Sequence, residues 1–143
     1  MNSAPDARAI KADLARSYDS TAARRDARGE PQWRDTYRTG LATMMRTEQK
    51  TRLLEIGAGS GHSAAFFAAE GFDVSAIDLS PLNIDRCVAK GLDARVADFA
   101  DLPFLDDSFD AVWSMSCLMH APDAELEKAI AEMDRVLISG GIA

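Results

Sequence analysis

Apolar positions near the start of the chain recur at helical spacing. Residues 6–18 carry Ile10, Leu14 and Tyr18 four positions apart, which predicts a helix with one apolar face. Residues 19–30 are polar and show no period, so this stretch predicts a loop. The start of the chain therefore predicts one helix followed by a polar connection.

A second helix is predicted after this loop. Pro31 has the fixed φ that suits the first position of a helix. The apolar stripe of this helix consists of Trp33, Tyr37, Leu41, Met44 and Met45. Residues 1–48 are thus predicted to form an N-terminal helical cap.

Beyond residue 51 the pattern changes to short apolar runs that alternate with helical stretches. The runs that predict strands are residues 53–56, 72–77, 94–97 and 109–115. The stretches that predict helices are residues 60–71, 81–90 and 123–137, the last being stopped by the glycines at 140 and 141. Such alternation predicts βαβ units, and hence a single α/β domain with a Rossmann-like, doubly wound parallel sheet of about four strands in residues 49–143.

Composition and charge narrow the class of protein. The 143 residues are 47% hydrophobic and 27% charged, as in soluble globular domains. The net charge of −7 disfavours a nucleic-acid partner, because phosphate contacts require patches of Lys and Arg. No stretch approaches the ~20 apolar residues of a membrane span, and neither Cys87 nor Cys117 lies at metal-binding spacing. We expect a cytoplasmic protein with reduced thiols, no metal and no membrane span.

A glycine-rich segment, residues 55–61, lies between a predicted strand and a predicted helix. Gly57, Gly59 and Gly61 allow the backbone to approach a ligand closely. The N-terminus of the following helix offers unpaired N–H groups, and α/β sheets bind ligands at this position. A tight strand-to-helix connection without a ligand is the alternative interpretation.

Asp78 strengthens the ligand interpretation. It lies 21 residues after Gly57 at the end of the second predicted strand, where a carboxylate can accept hydrogen bonds from both hydroxyls of a ribose. A capping or turn role before Pro81 is the alternative. His62 occupies the position at which a dinucleotide-binding turn has its third glycine, which disfavours an NAD-dependent or nucleotide-sugar enzyme.

Five segments together resemble the class I S-adenosylmethionine-dependent methyltransferases, and most of all their ubiquinone and menaquinone biosynthesis branch. In the order and spacing of that family, they are residues 53–61, 74–81, 98–104, 107–110 and 133–141. Ser139 stands where the family usually has a proline. The resemblance implies S-adenosylmethionine as the cofactor and a small molecule as the methyl acceptor.

The resemblance also implies which residues contact the cofactor. These are Tyr18, Glu55, Gly57, Ala58, Gly59, Gly61, Asp78, Leu79, Asp98, Phe99, Ser114 and Met115. Glu55 and the glycine turn are expected at the methionine end, Asp78 at the ribose and Leu79 against the adenine.

The remaining implied contacts come from other parts of the chain. Asp98 is expected to accept a hydrogen bond from the adenine amino group, while the backbone of Phe99 reads the ring edge. Ser114 and Met115 are expected beside the sulfonium. Tyr18 matches a Tyr-Asp pair that closes over the cofactor in many relatives, and a core-facing aromatic is the alternative.

His120 is the candidate catalytic base. It follows the fourth predicted strand, and an ordinary pKa near ~6.5 would let it accept a proton at neutral pH. A loop histidine that caps the helix after Pro122 is the alternative interpretation.

The last residues bear on both assembly and activity. The family's sheet has seven strands, and residues 142–143 are reached where a fifth would begin, so the chain is expected to be truncated. The fourth predicted strand would then have an uncovered edge, which predicts self-association through that edge. A methyltransferase acting on a small molecule is the favoured hypothesis, and a non-catalytic cofactor-binding or interaction module is the alternative.

Overall fold

Helices and parallel strands alternate along the chain in a computed structural model that describes residues 6–28, 30–115 and 117–143. The helices are α1 (Ala7–Arg28), α2 (Trp33–Thr47), α3 (His62–Ala69), α4 (Pro81–Ala89) and α5 (Asp123–Val136), with a short 3₁₀ turn at Leu118–His120. The strands are β1 (Arg52–Ile56), β2 (Asp73–Asp78), β3 (Asp93–Val96), β4 (Phe109–Ser114) and β5 (Leu137–Ile142). Within these described ranges, no helix is long and apolar enough to cross a membrane.

The strands form one parallel sheet in the order β3-β2-β1-β4-β5. The chain moves outward from the central β1 to β2 and β3, and then crosses back to β4 and β5 on the other side. The direction of winding therefore reverses between β1 and β4, and doubly wound sheets form a crevice at the carboxyl ends of such strands. The predicted α/β, Rossmann-like doubly wound fold is confirmed.

The sheet has one strand more than the sequence pattern predicts. β5 lies where the sequence predicts the end of the last helix and the glycines that stop it. It pairs with β4 through a register shift between Phe109 and Ala111. Gly140 has a φ of 74°, a conformation that glycine commonly supplies at such irregularities in strands. Because β5 pairs with β4, the predictions that the chain stops before strand five and that the β4 edge is uncovered are wrong, while self-association stays a prediction.

The first helix is longer than predicted. α1 continues through Arg28, whereas residues 19–30 predict a loop. This half of the helix is rich in Ala and Arg, which favour helix without needing an apolar period. The other predicted elements agree with the structure to within two residues at each end.

Both faces of the sheet are covered by helices. On one face Met45 of α2 and Phe67 of α3 pack with Trp113 of β4, and the two rings meet edge to face at 5.4 Å between centroids. On the other face Val112 of β4 packs in a second cluster with Val136 of α5.

Cys87 and Cys117 are both free thiols.

A carboxylate joins β1 to β4 at the amino ends of these strands. Asp110 Oδ2 accepts hydrogen bonds from the backbone N–H groups of Thr51 and Arg52 at 2.9 and 2.8 Å, and Arg52 Nη2 donates to Oδ1 at 2.8 Å. Burial acts to raise the pKa of Asp110, but these donors outweigh it and lower that pKa to about 2. This carboxylate clamp lies at the end of the sheet opposite the carboxyl-end crevice.

Candidate functional site

A cavity of about 400 Å³ opens at the carboxyl ends of β1 and β2. α1, the segment that leads into α2, and the segments that follow β3 and β4 complete its walls. The sequence-predicted site residues that line it are Tyr18, Glu55, Gly57, Ala58, Gly59, Asp78, Leu79, Phe99 and Met115. Residues far apart in the sequence are thus brought to one cavity of the size typical of small-molecule sites.

Four predicted site residues are not placed on this cavity. Gly61 is the residue before α3, and a Cβ there would lie 2.9 Å from Cys87 Sγ. Ser114 ends β4 without lining the cavity, and Asp98 lines a separate polar cavity. The side chain of His120 lies outside the described part of the chain, so its catalytic role stays a prediction.

The glycine turn is held against the end of β2. The N–H groups of Gly57 and Ala58 both donate to the carbonyl of Ile77, at 2.9 and 3.0 Å, and that of Gly59 donates to Asp78 Oδ2 at 2.8 Å. Gly59 has a φ of 57°, and a Cβ there would meet nothing within 4 Å. The turn therefore presents bare backbone to the cavity.

Asp78 organises the adjoining loops. Besides the bond from Gly59, its Oδ1 accepts from the N–H of Ser80 at 2.8 Å, and it lies 3.4 Å from Asn83 Nδ2. Ser80 Oγ in turn accepts from Asn83 N and so caps α4. The side chain of Asp78 therefore stabilises the turn and also lines the cavity, so the two interpretations do not exclude each other.

Gly57 lies where the β1 turn touches the segment after β4. It has a φ of 73°, and a Cβ there would lie 2.4 Å from Cys117 Cβ. Burial, together with the nearby charge of Asp78, raises the pKa of the Cys117 thiol to about 12. Cys117 is therefore a neutral packing group in the cavity wall.

Glu55 is a buried carboxylate with one unsatisfied oxygen. The side chain lines the cavity although the residue is only 4% exposed, and its Oε2 has no hydrogen-bond partner among the described residues. Burial and, next, the charge of Glu30 raise the pKa of Glu55 to about 8, while the N–H of Ala64 and the charge of Arg38 oppose the shift. A buried acid with one unsatisfied oxygen facing a cavity indicates a site for a cationic or hydrogen-bond-donating group.

Charged residues that the sequence pattern did not indicate lie beside Glu55. Arg28, Glu30 and Arg34 line the cavity, and Arg34 Nη1 donates to Glu30 Oε1 at 3.0 Å. Buried Arg38 pairs with Glu30 Oε2 at 2.5 Å. No periodic signal marks these residues, because they lie around the connection between two helices. Their polarity beside the apolar stripe of α2 is the sequence signal that could have indicated them.

Comparisons with known proteins identify the family of this chain. Residues 54–143 match the family model described as a methyltransferase domain. The chain is 35% identical over 100 residues to a sarcosine/dimethylglycine N-methyltransferase of Aphanothece halophytica, covering 64% of this chain and 35% of that protein. It is 37% identical over 110 residues to the 27-O-demethylrifamycin SV methyltransferase of Amycolatopsis mediterranei, covering 71% of this chain and 40% of that one. The chain thus spans less than half the length of these relatives.

A solved structure extends the comparison to three dimensions. The crystal structure of a SAM-dependent methyltransferase from Methanosarcina mazei superposes with a TM-score of 0.60 at 27% identity, over 62% of this chain and 48% of that one. Fold, glycine turn and family model therefore agree, and the chain belongs to the methyltransferase domain family.

Proposed function

We propose that this chain binds S-adenosylmethionine in the cavity at the carboxyl ends of β1 and β2 and directs its methyl group to a small-molecule acceptor. One observation carries the proposal: the cavity joins a bare glycine turn, the acid that ends β2 and the unsatisfied oxygen of Glu55. The relatives named above, which act on sarcosine, dimethylglycine and a rifamycin, support a small acceptor.

The residues present fit the polar groups of this cofactor. The unsatisfied oxygen of Glu55 suits the ammonium of the methionine end, and Arg34 in the same wall suits the carboxylate. Gly59 leaves room for close approach, since a Cβ there meets nothing. Asp78 suits a ribose diol, because its carboxylate ends β2 at the cavity wall.

The remaining lining suits the apolar parts. Leu79 and Phe99 offer apolar surface for the adenine, and Met115 and Cys117 border the glycine turn from the β4 side. The helices in residues 1–48 would cap a core formed by residues 49–143, with Tyr18 of α1 facing the cavity.

When bound, S-adenosylmethionine supplies a methyl group already activated by its sulfonium. The chain therefore needs chiefly to hold the reactants in line and keep water out. Glu55, Asp78 and the glycine turn would fix one end of the site. Leu14 and Tyr18 of α1 would exclude water from above.

Replacing Asp78 tests this proposal. The D78N variant should bind S-adenosylhomocysteine about tenfold more weakly or worse, because hydrogen bonds to a charged acceptor are worth about 1.5–3 kcal/mol each. Isothermal titration calorimetry measures the affinity, and a methyl-release assay with candidate amines and phenols measures turnover. Asp85, exposed on α4, gives the control variant D85N, which should bind like the wild type. Absence of binding by the wild-type chain would contradict the proposal.

A non-catalytic cofactor-binding module remains the second candidate, and binding without turnover would favour it.

A variant at His120 tests whether turnover depends on a base at this position. If His120 accepts a proton from the acceptor, H120A should lower kcat about 100-fold or more while leaving S-adenosylhomocysteine affinity unchanged. Unaltered turnover of H120A would count against a base at this position and would leave alignment as the chain's contribution.

A further inference from the structure

The last turn of α4 supports the glycine turn from outside the cavity. Lys90, the residue that follows α4, donates from Nζ to the carbonyl of Ser60 at 2.6 Å. Cys87, within the last turn of α4, donates from Sγ to the carbonyl of Gly59 at 3.3 Å. Gly59 and Ser60 line the cavity, whereas Lys90 and Cys87 do not. Two successive carbonyls of the turn are therefore bound by groups that lie behind the cavity wall.

These bonds set the direction of a backbone N–H group. The Gly59–Ser60 peptide is trans, so its carbonyl and its N–H point in opposite directions. Because Cys87 binds the Gly59 carbonyl, the N–H of Ser60 points away from α4. That N–H forms no hydrogen bond with any residue that the structure describes. Ser60 is only 9% exposed, so a ligand in the cavity would satisfy a donor that has little access to water.

Lys90 makes the stronger of the two bonds. A thiol is a weak donor, whereas an ammonium forms a charge-assisted hydrogen bond. Lys90 holds the peptide that follows Ser60, and Cys87 holds the one that precedes it. With both neighbouring peptides held, the backbone of Ser60 has little freedom to rotate.

The other end of α4 is tied to the same turn. Ser80, which caps α4, donates its N–H to Asp78 Oδ1, and Asp78 Oδ2 accepts from the N–H of Gly59. Glycines allow the turn to come close to a ligand, but they also leave it many conformations to lose. Bonds from both ends of α4 restrict those conformations before any ligand binds.

We propose that Lys90 is a positioning residue for the cofactor, which holds the Ser60 carbonyl and thereby keeps the N–H of Ser60 directed into the cavity. The inference rests on the proposed function for its effect on S-adenosylmethionine binding. Lys90 would act through the backbone of the turn, since its own side chain does not line the cavity. A turn that is already ordered costs less free energy to bind than one that the ligand must order.

The variant K90M tests this role, since it removes the ammonium and keeps the apolar stem. We expect S-adenosylhomocysteine to bind K90M about tenfold more weakly, because the ligand must then order the turn. K90R keeps a charged donor and should bind within about threefold of the wild type. Isothermal titration calorimetry measures these affinities. Lys128 of α5 is 63% exposed and pairs with Glu125, so the control K128M should bind like the wild type.

Equal affinity of K90M and the wild type would overturn the inference, as would a K90R variant that binds as weakly as K90M. Kinetics add a second criterion. K90M should raise the KM for S-adenosylmethionine about tenfold and change kcat by less than about threefold, because the turn holds the cofactor equally before and during transfer. A lower kcat at unchanged KM would contradict a positioning role.

Residual dipolar couplings supply a test that needs no ligand, because they report the direction of each N–H bond. The couplings of Ser60 and Gly61 should differ between K90M and the wild type, while those of β1 and β4 agree. If the wild-type chain fails to bind S-adenosylhomocysteine, the proposed function fails and this measurement alone decides whether Lys90 orients the turn. Unchanged couplings at Ser60 and Gly61 in K90M would overturn the inference.

Discussion

G57A should lose about 3–4 kcal/mol of unfolding free energy, the larger part of it from one contact. The φ of 73° at Gly57 is unfavourable for any side chain, which costs about 1–2 kcal/mol. The new Cβ would also lie 2.4 Å from Cys117 Cβ, so the turn after β1 and the segment after β4 must move apart. Urea unfolding monitored by circular dichroism measures the loss.

Two further variants separate strain from overlap. Gly91 has a φ of 79°, and a Cβ there would meet nothing within 4 Å, so G91A should cost only about 1–2 kcal/mol. Removing the opposing side chain in G57A/C117G should recover most of the difference between the two glycine variants. If G57A proves no worse than G91A, the close contact with Cys117 does not constrain the turn.

Glu55 should make the protein less stable as the pH rises from about 5 to about 8. Its pKa is near 4.5 in the unfolded chain and about 8 in the folded one, so the folded state binds the extra proton between these values. Unfolding free energy then falls with rising pH at up to about 1.4 kcal/mol per unit, which amounts to several kcal/mol across the window. Above about pH 8 this contribution changes no further.

E55Q supplies the matched control, because the amide keeps the shape and cannot ionise. Urea unfolding of both proteins at each pH should show the wild type losing stability relative to E55Q between about pH 5 and pH 8. Carboxylates with lowered pKa values, such as Asp110 with a pKa of about 2, change the unfolding free energy only at lower pH. They do not contribute to the change between about pH 5 and pH 8. Parallel curves for the two proteins would show that Glu55 is already ionised at pH 5.

Local chemistry accounts for what could be predicted from the sequence. The βαβ units were predictable because short apolar runs, the glycine turn and Ser80-Pro81 each specify structure within a few residues. The position of Asp78 at the cavity followed from its spacing to Gly57, since a parallel sheet brings the ends of neighbouring strands to one edge.

The failures concern contacts that local pattern does not encode. Asp98 pairs with Lys11, which lies 87 residues away, and no sequence pattern indicates that ion pair. β5 contains two glycines, and its strand character depends on pairing with β4 rather than on its own propensity. Glu30 and Arg34 reach the site because α1 and α2 fold over the sheet, a tertiary arrangement that the polar stretch at residues 19–30 did not indicate.

The carboxylate clamp at Asp110 has a consequence for how this domain can diverge. It fixes the register of β1 against β4 at the end of the sheet remote from the cavity, and no residue of the cavity takes part. Substitutions around the cavity therefore do not act on that anchor. Homologues that retain Asp110 can therefore carry substitutions in α1 or in the segment after β4 that change which ligand is bound. The alignment of β1 with β4 is kept in each of them.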